Sequence, residues 1–145
     1  MIDNVEMLNY IRQNAEMGIH GITKVLQRTQ DEKLRKVLKD QRAEYGSIYG
    51  AADKLIRDYG KKPVHADRLS LKSAEFTASS KMKKDPSAAN AAQMMIQGNT
   101  TGAVKLMKKM ADYKGDDWQV SQLADRLLDT QQSNMEQIKD FLKQA

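Results

Sequence analysis

Apolar residues recur along this chain at alternating steps of three and four, the spacing that lines up one face of an α-helix. A first run, from Asp3 or Asn4 to Thr29, carries Leu8, Ile11, Ala15, Gly18, Ile22 and Val25, flanked by Val5, Ile19 and Leu26. A second opens after Thr29-Gln30-Asp31, with Asp31 as its N-cap. Its stripe is Leu34, Leu38, Gln41, Tyr45, Ile48, Ala52, Leu55 and Tyr59. Gly60 then stands where a helix-ending glycine belongs, with Pro63 just beyond it. Asp85-Pro86 predicts the start of a third long helix, an N-cap acid followed by proline at the first helical position. That helix carries Ala92, Met95, Ile96, Asn99, Ala103, Leu106, Met110 and Tyr113. The turn Tyr113 to Asp117 leads into a fourth, with Val120, Leu123, Ala124, Leu127, Gln131, Asn134, Ile138 and Phe141.

Residues 61 to 85 are less regular. Leu69 to Lys83 predicts a shorter helix whose large apolar residues are Leu69, Phe76 and Met82. The long helices, about 27 residues each, span about 40 Å at 1.5 Å per residue. The short joints after the first and third helices predict two antiparallel hairpins. The joint between the second and third, about 25 residues at extended reach, is long enough to travel the length of the molecule. The expectation is a single all-α domain over residues 1–145, a four-helix bundle with a long crossover that holds a short extra helix.

Composition agrees with helix throughout: only eight glycines and two prolines in 145 residues, with no cysteine for disulfide or thiolate chemistry. The absence of cysteine suits a reducing compartment, and a cytoplasmic location is expected. No apolar run approaches the roughly 20 residues of a membrane span, and the N-terminus shows no secretory leader pattern. The net charge of +5 is spread over scattered lysines, which reads as a solvated surface; nucleic acid is disfavoured as a partner.

Several phrases sharpen the architecture. Leu8-Asn9-Tyr10-Ile11 to Met17-Gly18, Glu44-Tyr45, Met95 to Gly102 and Leu127-Leu128 to Asn134 resemble the small bacterial ferritin-like proteins of unknown function. The resemblance covers nearly the whole chain and implies the ferritin-like fold. In that superfamily a di-metal centre uses a Glu from each of two helices and a Glu-x-x-His pair from each of the other two. This sequence contains no Glu-x-x-His, and Pro86 to Ala111 holds no Asp, Glu or His at all. Gln131-Gln132 stand near the level where acids belong, and amides are poor ligands for iron or manganese. The expectation is therefore a bundle without catalytic, cofactor or metal residues, acting as a structural or protein-interaction module with a protein partner or with further copies of itself. The competing reading is a di-iron or di-manganese oxidase or storage protein.

Other candidate chemistry is thin. Glu16 and His20 lie one turn apart on the first helix but fall outside its stripe, which predicts an exposed pair. His65 sits in the crossover without a partner acid. The nine methionines fall mostly on or beside the stripes, as gap-filling core residues do. The interior holds a more specific signal: Glu44, Asn99 and Gln131, with Gln41 and Asn134 one turn away, are level in the antiparallel layout. They predict a polar layer across the middle of the core, which must be hydrogen-bonded to be tolerated. Such a layer reads as an amide network fixing helix register, as a small-ligand pocket, or as a degraded metal site.

Overall fold

The computed structural model describes residues 1–144. It contains five α-helices and no named strand among the described residues: α1 Asn4–Leu26, α2 Glu32–Asp58, α3 Arg68–Lys84, α4 Ala88–Asp112 and α5 Trp118–Ile138, the last continuing into a 3-10 segment Lys139–Lys143. Each α-helix begins on a side chain that accepts from an early backbone N–H: Asp3, Asp31, Asp67, Ser87 and Asp117. These caps satisfy donors that have no partner within the helix. Asp85 does not cap α4, as its sequence predicts. It ends α3, and its carboxylate accepts from the Ser87 N–H at 3.1 Å. Pro86 thus precedes the cap rather than following it. At the end of α2, Gly60 adopts φ 73°, the left-handed conformation that glycine takes without a Cβ penalty.

α1 packs against α2, α3 and α4, and α5 packs against α4 and α2. Ile2 is clipped beside Tyr113 by two backbone bonds, Ile2 N–H to Asp112 O and Lys114 N–H to Ile2 O, both 2.9 Å. The start of α1 therefore meets the end of α4, and these two helices run antiparallel. Tyr59 donates to Asp117 at 2.5 Å, so the end of α2 likewise meets the start of α5.

The crossover runs the length of α1. Val64 bonds Asn9 and Gln13 near the start of that helix, and Glu75 meets His20 and Lys24 farther along. His20 is thereby half-buried against α3, and Glu16 is half-buried too, rather than exposed. The periodicity of α1 alone shows one apolar stripe and cannot reveal that a second, polar face is covered.

The core is aliphatic: Met7, Leu8, Ile11, Leu34, Leu38, Ile48, Ile56, Met82, Leu106, Leu127 and Ile138 are fully buried. In the last turns of α2, Ile56 takes the inward position. Leu55 is half-buried and Tyr59 is 40 % exposed. One charged side chain also lies inside. Arg12, 3 % exposed, donates to Asp53 at 3.0 Å and to the Tyr49 hydroxyl at 2.5 Å, and lies 4.3 Å over the Tyr49 ring. Hydrogen bonding from Arg57, then from Arg12, outweighs partial desolvation and holds the Asp53 carboxyl below its ordinary range. No helix among the described residues is long and apolar enough to cross a membrane.

Candidate functional site

The middle of the core is polar. Tyr45, from α2, is 3 % exposed and donates its hydroxyl to Asn99 Oδ1 of α4 at 2.8 Å. Asn99 in turn donates to the Met95 carbonyl one turn earlier at 2.7 Å. Gln131 of α5 donates to Asn14 Oδ1 of α1 at 2.8 Å, and Asn14 donates to the Gly102 carbonyl of α4 at 3.3 Å. One turn away, Gln41 donates to the Asn134 carbonyl at 3.3 Å and to Gln137 Oε1 at 2.9 Å. All four long helices contribute, and Tyr45, Asn99, Gln131 and Gln41 come together because each lies on the buried face of its helix. Burial pushes the Tyr45 phenol up to about 12, while the neighbouring amides of Asn134 and Gln131 pull the other way.

Two glycines make room for the layer. A Cβ on Gly18 would stand 2.7 Å from Tyr45 Cε2, and one on Gly102 would stand 2.6 Å from Gln131 Nε2. The tyrosine ring therefore lies against the α1 backbone and the glutamine amide against that of α4.

The sequence-predicted members divide. Asn99, Gln131, Gln41 and Asn134 are buried within this region. Glu44 is not. It is half-exposed, pairs with Arg126 at 2.5 Å and faces outward between α2 and α5. The reason is angular: Glu44 precedes inward-facing Tyr45 by one residue, which turns it about 100° around the helix. Asn14 and Arg12 lie beside the α1 stripe, so sequence reasoning passed over both. Their only signal is the neighbouring polar residue on the partner helix, which becomes visible once the register is known.

The layer supplies amides, a phenol and backbone carbonyls, with no carboxylate. That donor set does not fit a di-iron or di-manganese centre, which takes carboxylate and imidazole. Among the described residues no group of three or more His, Asp or Glu side chains is placed to hold a metal ion. At the α1–α3 junction His20 Nδ1 meets Glu75 Oε1, while Glu16, one turn earlier on α1, is half-buried.

Beside Glu44 lies an open groove of about 1000 Å³ between α2 and α5. Its lining holds five carboxylates (Asp40, Glu44, Asp58, Asp125 and Asp129) against two cations, Lys54 and Arg126. Gln41 and Asn134 form part of its floor, so the groove borders the polar layer from outside.

No family model matches the sequence, and no curated protein matches it. A solved structure, that of a DUF305 fragment from Deinococcus radiodurans, is similar to this chain with a TM-score of 0.71. The match covers 96 % of this chain and 94 % of that one, at 15 % identity. A likeness at that identity carries the fold and not the activity. The chain is an all-helical protein with the fold of the DUF305 fragment.

Proposed function

We propose that this chain is a ferritin-like four-helix bundle that works without a di-metal centre, as a non-catalytic structural or protein-interaction module. The observation that carries the reading is the content of the mid-core layer. Tyr45, Asn99, Gln131 and Asn14 occupy the level where the ferritin-like centre would need carboxylates. α4 supports it further, because it has no acid or imidazole before Asp112. Removing the ligands while keeping the scaffold leaves surfaces as the means of action.

The test is elemental analysis of purified protein after exposure to iron(II) and manganese(II), with solution mass measured on the same sample. The reading expects no stoichiometric metal. Two metal ions per chain, retained through gel filtration, would return the protein to the oxidase or storage class. The solution mass states whether the module acts as a single chain or as an assembly of copies.

A further inference from the structure

The α2–α5 groove is acidic on a chain whose net charge is +5, and its floor has hydrogen-bonding capacity that nothing among the described residues uses. Gln41 is 3 % exposed and Asn134 4 % exposed. Gln41 Oε1, an acceptor, and Asn134 Nδ2, a donor that neighbours the Tyr45 phenol without reaching hydrogen-bonding distance, have no hydrogen-bond partner among the described residues. The two side chains are neighbours, since Gln41 Nε2 donates to the Asn134 carbonyl. Buried polar groups of this kind are costly when left unpaired. Above them, Asp125 and Asp129 line the groove and enter no ion pair among the described residues.

We propose that this groove binds an extended, lysine- or arginine-bearing peptide segment of a partner protein. The two open floor positions select the occupant. In an extended strand the N–H and C=O of one residue point to the same side, and these are the partners that Gln41 Oε1 and Asn134 Nδ2 lack. A polyamine offers donors only and leaves the asparagine amide unpaired. The exposed Gln137, which accepts from Gln41 Nε2, is the side chain that the peptide displaces to reach the floor. Cationic side chains of the peptide then meet Asp125 and Asp129. Length agrees as well: from Asp40 to Asp58 the groove follows α2 for about 27 Å. At about 3.3 Å per residue that accommodates about eight extended residues. The inference rests on the interaction-module reading and names the partner chemistry.

The test is fluorescence anisotropy of a labelled ten-residue peptide of alternating lysine and serine, with unlabelled spermine and a glutamate-serine peptide as competitors, on protein of known metal content. The chain's net positive charge repels a cationic peptide overall, so binding at low salt reports a local acidic site rather than general attraction. The lysine-serine peptide is expected to bind, and its affinity to fall as salt rises. Asp125→Asn with Asp129→Asn should weaken it by about twofold to fivefold per carboxylate. Asn134→Leu removes the donor that spermine cannot use, so it should weaken the peptide and leave spermine unchanged; if that variant fails to fold by circular dichroism, the aspartate pair still decides. Absence of binding, or binding that ignores both aspartates, would overturn the proposal. Spermine binding as tightly as the peptide would replace the occupant with a polyamine. Metal-free protein that binds no peptide sinks only this inference, whereas stoichiometric metal sinks the reading beneath it.

Discussion

Tyr45 shows how single residues hold the mid-core layer. Its hydroxyl links α2 to α4 by donating to Asn99. Tyr45→Phe keeps the ring but leaves Asn99 Oδ1 without its donor, at a cost of about 1–2 kcal/mol at neutral pH. Above pH 10 the comparison changes. The unfolded chain releases the phenolic proton near 10 while the folded chain holds it to about 12, so wild-type stability falls across that window. The loss amounts to roughly 2–3 kcal/mol, and the phenylalanine variant is free of it. Urea unfolding of both proteins at pH 7 and above pH 10 should show the gap between them closing. A gap that stays constant would mean the phenol is not held neutral by burial. The polar members of this layer were legible where they fell on an apolar stripe, as Gln41, Asn99, Gln131 and Asn134 do. They were illegible one residue to the side, where Glu44 faces solvent and Asn14 faces in.

Helices were the most legible scale, since each long stripe became a helix and each short joint a hairpin. What periodicity leaves open is the choice between a three- and a four-residue step, which is why Ile56 rather than Leu55 turns inward at the end of α2. Glycine positions carry related information that only the packed structure reveals. Gly18 lies against the Tyr45 ring, with three ring atoms 2.7–2.9 Å from where a Cβ would stand, whereas Gly46 and Gly50 of α2 face nothing within 4 Å. Alanine favours a helix interior over glycine by about 1 kcal/mol. Gly46→Ala and Gly50→Ala should therefore each stabilise by about 0.5–1 kcal/mol. Gly18→Ala meets a rigid ring fixed at its hydroxyl, and overpacking costs of about 1–3 kcal/mol should exceed the helix gain. Thermal melting of the three variants reads the contrast directly. A raised melting temperature for Gly18→Ala would show that Tyr45 moves freely.

At the scale of the whole molecule, chain direction followed from joint lengths, because only a long joint can carry α3 from one end of α1 to the other. Function was less legible, since a missing ligand set removes a chemistry without naming its replacement. The acidic groove is formed by α2 and α5, which are remote in sequence and each unremarkable in charge. The crossover itself is the element least committed to the core. Leu71, Ala78 and Met82 of α3 are buried, yet Leu69 and Phe76 are each 76 % exposed. The polar attachment of α3 to α1 runs through Glu75, which meets His20 and Lys24. Segments with few buried contacts open at lower free energy than the global transition. Native-state hydrogen exchange should accordingly show α3 amides exchanging first, while the interiors of α1, α2, α4 and α5 form a slower class. Glu75→Gln weakens the attachment and should speed exchange in α3 without changing the slow class. If α3 instead exchanges together with the four long helices, it is part of the cooperative core, and the contacts of Leu71, Ala78 and Met82 suffice to hold it there.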